Sequence, residues 1–419
     1  MLINDLPTRK TRAATKPKAR LVRSAGATLA LLALASFSGR PAHADLQVDQ
    51  DNLVTDNQSV NSAQITDPNL QNPWGVSFSP TSPFWISDNN DGLSTLYAVN
   101  PTTNAVTKES LTVTIPPGGG NGSPTGQVNN TNTGAFHGDN FLFVSEDGTI
   151  SGWRGALGTT AETFVPASDP NTGAVYKGSA LATPTGTVTQ GATTLPAGTE
   201  VLYAANFRAG TVDVFTAGGA AAAVAAQVTL QGTFTDPNIP AGYAPFNIQK
   251  IGNNLYVSYA LQDAAKHDDV AGAGNGYVDE YDLNGNLIAR IATRGTLDSP
   301  WGMTIAPASY GSLAGDLLVG NFGDGEISAF NLTTDTFAGV LDNPNGTPLT
   351  IPGLWDITPG NNGNAGSSQD IYFTAGPNDE TDGVFGVLTN APEPASLSVL
   401  GVSLVGTLLA RRRRSRPIG

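Results

Sequence analysis

Cysteine is absent from the 419-residue sequence, and histidine and methionine are scarce, with three and two copies. Without cysteine the chain can form no disulfide bond, no thiolate metal site and no cysteine nucleophile. Charged residues are few as well, at 13% of the sequence. No Ser-His-Asp order, nucleophile elbow or paired-carboxylate signature stands out, so hydrolytic chemistry would have to be assisted by a metal ion.

Glycine and proline are abundant instead, with 49 and 28 copies. Turn-forming dipeptides are spread along the whole chain, which is typical of many short strands joined by turns. The hydrophobic content of 39% is enough for a sizeable core. This composition excludes a globally disordered chain.

Residues 1–44 have the three parts of a secretory signal peptide. Seven basic residues precede position 24, an apolar run follows at 25–37, and Ala42 and Ala44 stand in the small-x-small arrangement that signal peptidase reads. The 13-residue run is short for a membrane span. We predict export with cleavage after Ala44; a core helix or an N-terminal anchor is the alternative.

The segment 45–390 is strongly acidic, with 33 acidic and eight basic residues. A surface of this charge repels nucleic acid and anionic lipid, so no nucleic-acid partner is predicted. It would attract divalent cations or cationic partners, or it would serve only to keep an exported protein soluble.

One pattern of strands and turns recurs six times. The clear copies are 72–99 and 299–332, and the looser copies are 134–154, 200–215, 244–285 and 353–388. Asp-Gly pairs, which favour tight hairpin turns, separate the second and third strands in four copies. Successive second strands begin 54–62 residues apart, which is typical of propeller blades. We predict an all-β, six-bladed β-propeller over 45–390, because the alternative, a β-sandwich pair, would not repeat one pattern six times.

The blade pattern resembles NHL-type propellers, in which Pro-x-Gly precedes the inner strand. The glycines after Trp74 and Trp301 would let these innermost strands crowd the central axis. The segments 66–97, 262–282 and 317–331 are similar to a family of exported bacterial NHL-like β-propeller proteins, whose members often end in a PEP-CTERM tail. The resemblance implies fold and location, and no activity comes with it.

The C-terminal segment 391–419 resembles such a PEP-CTERM tail. Sixteen uncharged residues at 395–410 separate its two motif parts. The sorting-motif residues are Pro392, Glu393, Pro394, Arg411, Arg412, Arg413 and Arg414. The resemblance implies recognition by an exosortase-type sorting enzyme in a Gram-negative cell. As a helix the uncharged run spans roughly 24 Å, slightly short for a lasting span, and its arginines favour a cytoplasmic C-terminus. We predict a single hydrophobic helix that inserts transiently, with a permanent anchor as the alternative.

A column of strand-end residues is a candidate calcium site. At the end of the second strand, four blades carry an oxygen-bearing side chain: Asp88, Glu146, Asn206 and Asn321. Ca²⁺ takes about six to eight oxygen ligands, and lactonase-type propellers use a similar set. Two blades carry Tyr259 and Ala375 there and offer no such ligand. The alternative is that these side chains cap turns by bonding to their own backbone.

An insertion, "KHDDVAGAGNG" (266–276), replaces the tight turn of the fourth blade. Insertions at this point project over one face, as binding loops do. His267 beside Asp268 and Asp269 is a candidate general base or metal ligand, and a solvated loop is the alternative. The other body histidine, His137, is expected to be structural.

Two classes of function follow from these features. The first is a binding or scaffolding propeller in the cell envelope, at the cell surface or in an extracellular polysaccharide matrix, with a polysaccharide or envelope protein as partner. The second is a Ca²⁺-dependent lactonase- or lyase-like enzyme. A purely structural matrix protein would differ from the first only in lacking a discrete ligand. The absence of a convincing catalytic set favours the first class.

Overall fold

The computed structural model describes residues 46–116, 122–168, 172–218 and 225–391. The predicted signal peptide with its cleavage site, and the sorting motif with its hydrophobic helix, lie outside the described residues. Within the described ranges no helix has the length and apolar character needed to cross a membrane.

Almost all regular structure in the described ranges is β-strand. The chain enters through β1 (Leu46–Thr55), which pairs in parallel with the short β2 (Ile65–Thr66). Sheet I contains β3–β6: Pro73–Ser77, Phe84–Asp88, Leu93–Val99 and Val106–Thr114. Sheet II contains β7–β10: Pro124–Asn129, Phe141–Ser145, Ile150–Trp153 and Glu162–Val165. Each is a four-stranded antiparallel meander.

The same order continues along the chain. The hairpin β12–β13 (Thr189–Gln190, Thr193–Thr194) interrupts sheet III, which contains β11 and β14–β16: Tyr176–Ala182, Val201–Asn206, Thr211–Thr216 and Ala226–Gln227. Sheet IV contains β17–β20: Tyr243–Ile251, Asn254–Leu261, Gly276–Asp282 and Leu287–Thr293. Sheet V contains β21–β24: Pro300–Ile305, Leu317–Asn321, Ile327–Asn331 and Thr336–Asp342.

The last sheet is completed by the first strand of the chain. Sheet VI contains β25–β27: Leu354–Pro359, Ile371–Ala375 and Val384–Asn390. Strand β1 pairs antiparallel with β27 as the fourth strand and also touches β24 of sheet V in parallel. The remaining elements are short helical turns at Phe136–Gly138, Gly155–Leu157, Ala308–Leu313 and Pro377–Glu380.

The sheets follow one another around an axis. The first strand of each sheet contacts the first strand of the next, and β25 contacts β3, so the contacts return to the starting point. Apolar clusters fill the space between successive sheets; Trp85 of sheet I, for example, stacks on Phe141 of sheet II with ring centroids 4.0 Å apart. A further cluster, which includes Trp74, Trp301 and Trp355, occupies the axis. This is the architecture of a β-propeller, as expected.

Glycines allow the first strands to pack this closely. A Cβ on Gly126 would lie 2.5 Å from the backbone nitrogen of Ser179 in the next sheet, and one on Gly75 would lie 2.6 Å from the carbonyl oxygen of Thr125. Gly302 is equally close to Trp355, at 2.6 Å from its carbonyl oxygen. The expectation for the glycines after Trp74 and Trp301 is therefore confirmed.

The Asp-Gly turns were predicted correctly in three sheets. Gly92, Gly148 and Gly325 have positive φ angles of 63°, 82° and 75°, which favour glycine. Gly383 differs, because its φ is not positive; a Cβ there would collide with the carbonyl oxygen of Leu70, so close approach of the backbone requires this glycine.

Candidate functional site

The predicted column of strand ends lies at one end of the ring, which we call the mouth. There the second strand of each sheet ends beside the residue that begins the first strand. Asp88 lies opposite Pro73, Asn206 opposite Tyr176 and Asn321 opposite Pro300. The insertion loop between β18 and β19 is also at this end.

Glu146 does not share the register of the other three residues. In sheet II it is Ser145 that pairs with Pro124, so Glu146 comes one residue later. Glu146 lies in the turn that follows β8, so it does not occupy the strand-end position of Asp88, Asn206 and Asn321. Its equivalents in the other sheets are Asn89, Phe207, Ala260, Phe322 and Gly376.

The hydrogen bonds do not join the four proposed calcium ligands to one another. The side-chain oxygen of Asn206 accepts from the backbone nitrogens of Ala209 (3.2 Å) and Val175 (3.4 Å), so it caps its own turn. Asn321 donates to the carbonyl oxygen of Thr296 at 2.7 Å. Asp88 is completely buried, which raises its pKa well above the usual carboxyl range. These contacts give the calcium site no support, and it stays a prediction.

Replacing Asn206 by Ala is expected to destabilise the fold by about 1–3 kcal/mol, because two backbone N–H groups lose their acceptor. Thermal unfolding with and without millimolar Ca²⁺ measures the effect. Asn345→Ala, which removes an exposed turn contact to Thr347, is the matched control and should change the melting temperature little. A calcium-dependent rise in the melting temperature of the wild type that Asn206→Ala abolishes would instead support the calcium site.

A buried lysine organises the polar side of the mouth. Lys177, on the first strand of sheet III, is 2% exposed, and its ammonium contacts Glu146 and lies 3.2 Å from Asp268 Oδ1. The ammonium also lies 5.1 Å from the centre of the Trp74 ring, a cation–π distance. Burial alone would lower the pKa of Lys177, but the charges of Glu146 and Asp268 outweigh it and the pKa is raised. Lys177 is therefore a fixed cation and not a neutral nucleophile.

His267 extends this arrangement from the insertion loop. Its Nδ1 lies 2.8 Å from Asp268 Oδ1. This hydrogen bond, with the Lys177 charge, holds the pKa of Asp268 well below its usual range, and the same bond raises the pKa of His267. We call Lys177, Glu146, His267 and Asp268 the Lys177 cluster.

Asp269 does not belong to the Lys177 cluster. It lies against Ser299, and burial raises its pKa. Of the three insertion-loop candidates, His267 and Asp268 thus contact each other, and Asp269 lies apart from them.

The Lys177 cluster also has the composition of a metal site. Ligand atoms of Glu146, His267 and Asp268 lie within 4.8 Å of one another. The ammonium of Lys177 already bonds to both carboxylates, so the positive charge that a metal ion would supply is provided by the chain itself. A Ca²⁺ ion does not fit this set while Lys177 is in place.

Aromatic rings form the other side of the mouth. Residues equivalent to Lys177 on the other first strands are Trp74, Thr125, Phe246, Trp301 and Trp355. Trp74 stacks on Trp355 with ring centroids 3.5 Å apart, and Trp355 stacks on Phe322 at 4.0 Å. The tryptophans are buried, whereas Phe322 is half-buried and completes the stack at the surface.

Glu380 is a site residue that the sequence did not reveal. Its Oε2 accepts a hydrogen bond from Asn72 Nδ2 at 2.7 Å, and Asn72 in turn accepts from Trp355 Nε1 at 2.9 Å. Burial raises the pKa of Glu380 to about 7; the charges of Glu146 and Asp268 add to the rise, and Asn72 and Lys177 oppose it. Its protonation therefore changes near neutral pH.

The turn that carries Glu380 is strained. Asn378, Asp379 and Glu380 have consecutive positive φ angles of 57°, 52° and 63°. Such backbone conformations cost on the order of 1–3 kcal/mol each for non-glycine residues and cluster at functional sites. A cavity of about 540 Å³ adjoins this turn; Phe322, Asp324, Pro352, Pro377 and Glu380 are among its lining residues. We call it the Phe322 cavity.

His137 is largely buried, which agrees with the structural role expected for it. Its Nδ1 lies 2.7 Å from Glu162 Oε1, its ring packs 4.8 Å from that of Phe164, and its side chain is 9% exposed. The residue lies in the turn that precedes β8, outside the mouth.

No protein-family model matches the sequence. Among solved structures, a streptogramin B lyase is 14% identical with a TM-score of 0.41, covering 83% of this chain and 98% of that chain. A periplasmic gluconolactonase of Pseudomonas aeruginosa is 12% identical with a TM-score of 0.40, covering 77% and 87%. An α-L-arabinofuranosidase of Fusarium graminearum is 12% identical with a TM-score of 0.45, covering 82% and 98%.

Proteins found by sequence comparison are more similar to this chain in sequence than these solved structures are. Two uncharacterised proteins of Acanthamoeba polyphaga mimivirus are each 30% identical to this chain, over 341 and 351 residues. The alignments cover 80% of this chain in both cases and 78% and 84% of the viral proteins. A third mimivirus protein is 37% identical over 124 residues, 29% of this chain and 23% of its own length. The chain therefore belongs to the same family as the two viral proteins that match it over most of their length.

Proposed function

We propose that the chain is a six-bladed propeller that binds a carbohydrate at its mouth, in the Phe322 cavity. The observation that carries the proposal is a half-buried aromatic ring, backed by a stack of two further rings, beside a cavity that carboxylates line. Pockets of roughly 300–1,000 Å³ that combine apolar walls with a few polar groups are typical small-ligand sites.

The chemistry of a sugar matches this arrangement. The C–H face of a pyranose packs on an aromatic ring, and Phe322, held by Trp355, offers such a ring without losing conformational freedom. Hydroxyl groups of the sugar donate to carboxylates, which Asp324 and Glu380 supply at the cavity wall. The Lys177 cluster holds the adjoining polar side of the mouth in one geometry.

Replacing Phe322 by Ala is expected to weaken binding of the best oligosaccharide by about tenfold or more, corresponding to about 1.4 kcal/mol of lost stacking. The ligand is found by titrating neutral, amine-bearing and acidic oligosaccharides against the protein and following tryptophan fluorescence or heat. Phe78→Ala is the matched control, because Phe78 follows β3 at the opposite end of the ring and is also half-buried. Equal losses in both variants, or no binding by any oligosaccharide, would remove the proposal.

Export and sorting are part of the same proposal. The support is the three-part signal over 1–44, the sorting motif with its uncharged run in 391–419, and the acidic body. The partners are then signal peptidase, an exosortase-type enzyme and an extracellular polysaccharide, with transient membrane insertion through the tail. Intact-mass analysis of protein from the producing cell tests this, since export predicts an N-terminus at Asp45 and sorting predicts loss of the tail.

A Ca²⁺-dependent lactonase- or lyase-like enzyme at the same mouth is the second candidate. The pairing of His267 with Asp268 favours it, because a carboxylate at Nδ1 orients an imidazole to act as a general base. Chromatography of each bound oligosaccharide or lactone after incubation, with EDTA and with Ca²⁺, separates the two functions. Cleavage that requires Ca²⁺ would favour the lactonase- or lyase-like alternative over binding alone.

A further inference from the structure

We infer that the end of the propeller axis opposite the mouth is a second ligand site, which binds a small sugar acid through its carboxylate. This site is distinct from the Phe322 cavity, so the inference goes beyond the proposed function. Two independent features carry it. One is the charge of the residues that line this end of the axis, and the other is a buried hydroxyl group among them that has no hydrogen-bond partner.

The first strands of five sheets enclose a cavity of about 220 Å³ at this end of the ring, which we call the back cavity. Its lining lies at or near the last residues of these strands, at 76–78, 127–129, 179–181, 249–250 and Thr358. Trp74 and Trp355 precede the lining on the same strands, so the aromatic cluster of the axis lies between the back cavity and the mouth. The back cavity and the Phe322 cavity share no described lining residue.

The back cavity differs in charge from the Phe322 cavity, which Asp324, Asp379 and Glu380 line. The described lining of the back cavity contains Lys250 and no aspartate or glutamate. Four of the eight basic residues in 45–390 form ion pairs, namely Lys108, Arg154, Lys177 and Arg290. Burial raises the pKa of Glu200, and the charge of Lys250 opposes this rise without an ion pair between the two residues. An anion in the back cavity would therefore meet an ammonium group that no described carboxylate contacts.

A buried hydroxyl group in the same lining lacks a partner. Ser179 is 4% exposed, and its Oγ makes no hydrogen bond to any described residue. The neighbouring amide of Gln127 is satisfied, because its Nε2 donates to the carbonyl oxygens of Gly75 (2.7 Å) and Trp85 (2.9 Å). Its Oε1 accepts from Ser77 Oγ at 3.2 Å. Since a buried polar group without a partner is destabilising, the Ser179 hydroxyl indicates a ligand with oxygen atoms to bond to it.

A sugar acid fits these features better than other anions. The volume of the back cavity is below the range of roughly 300–1,000 Å³ that is typical of drug-sized ligands, so the ligand is about the size of a monosaccharide. One lysine balances one carboxylate, whereas a phosphate dianion would leave a negative charge without a partner in a strongly acidic protein. The C–H face of a sugar ring packs on Phe78, a half-buried ring of the lining that Phe84 holds edge-on, with ring centroids 5.4 Å apart. The carboxylates of the Phe322 cavity repel the same ligand.

The test measures glucuronate binding by isothermal titration calorimetry at pH 7 and low salt. Glucose is the matched sugar without a carboxylate, and inorganic phosphate is the second anion. We expect glucuronate to bind about tenfold or more tightly than either, because only glucuronate combines the charge with the sugar ring. Added salt should reduce the difference between glucuronate and glucose, since the added attraction is electrostatic. A trisaccharide that ends in glucuronate identifies the source: it should bind more tightly than the free sugar acid if the natural ligand is a polysaccharide end, and less tightly if it is the free acid.

Lys250→Met should weaken glucuronate binding by about tenfold or more, because the carboxylate loses its cation. Lys266→Met, which removes the same charge from the exposed insertion loop at the mouth, is the matched control and should change the affinity by less than about twofold. Ser179→Ala should weaken binding by about threefold or more and leave the melting temperature unchanged or higher, because the free protein loses no hydrogen bond. A purely structural role of Ser179 would instead lower the melting temperature.

Two aromatic variants locate the bound sugar acid. Phe78→Ala should weaken glucuronate binding, whereas Phe322→Ala should leave it unchanged. The inference is overturned if glucose or phosphate binds as tightly as glucuronate, or if Lys250→Met binds glucuronate like the wild type. Loss of glucuronate binding in Phe322→Ala alone would place the anion at the mouth and overturn it as well. Absence of any glucuronate binding overturns the inference and leaves the carbohydrate proposal for the mouth standing.

Discussion

Replacing Lys177 by Met is expected to lower the free energy of unfolding by about 3–5 kcal/mol, the usual cost of removing one partner from a buried ion pair. Glu146 is 13% exposed and would lose the cation that compensates its burial. Asp268, at 66% exposed, stays in contact with water and should contribute the smaller part of the loss. Chemical denaturation at pH 7 measures the difference.

The pH dependence of this loss has a definite sign. Asp268 has a lowered pKa in the folded state, so its stabilisation is present above the usual carboxyl range and is lost as the pH falls through the folded value. The advantage of the wild type over Lys177→Met should therefore shrink below about pH 4. Lys266→Met, an exposed change in the insertion loop, is the control and should stay within about 0.5 kcal/mol.

The same variant separates the two interpretations of the cluster. With the ammonium removed, Glu146, His267 and Asp268 keep ligand atoms within 4.8 Å of one another and lack a cation. Divalent cations should then stabilise Lys177→Met more than the wild type. If Lys177→Met is as stable as the wild type and indifferent to metal, Lys177 is not the organising cation of the mouth.

Replacing Gly126 by Ala is expected to destabilise the ring by about 1–3 kcal/mol or more, as overpacking does. The added Cβ would lie 2.5 Å from the backbone nitrogen of Ser179 and 2.8 Å from the carbonyl carbon of Gly178. These are backbone atoms of the neighbouring first strand and cannot rotate away, so the two sheets would have to separate. Melting temperature and tryptophan fluorescence report the change.

Gly155→Ala is the matched control for this prediction. A Cβ on Gly155 would meet no atom within 4 Å. It should therefore leave the melting temperature almost unchanged. Equal stability of both variants would show that the contact between the first strands of sheets II and III yields easily, contrary to the packing described.

The fold could be predicted from local features. Asp-Gly pairs mark the hairpins, and alternation of polar and apolar residues, as in 211–215, marks strands. Repetition of these signals at near-constant spacing predicts stacked sheets, because each unit needs a neighbour to bury its second face.

The site could be predicted only in part, for two physical reasons. The position of Glu146 depends on a one-residue difference in register that the strand pattern of sheet II does not reveal. The contact between Asn72 and Glu380 joins residues 308 positions apart, through a turn whose strained backbone has no sequence signal. The sequence does contain a signal for Lys177, because "YKG" in sheet III stands where "PWG" stands in sheets I and V.

Strand β1, which completes sheet VI, determines the face at which the two ends of the described chain lie. In sheet VI, Val384 pairs with Ala375 and Thr55 at the mouth, whereas Asn390 pairs with Val48 at the other end. The backbone of Ala391 bonds to Gln47 at 3.0 Å, so the two ends of the described chain leave side by side from the face opposite the mouth. A tether attached to either end would therefore be joined to the face opposite the mouth. The mouth would then point away from a surface to which that tether is fixed.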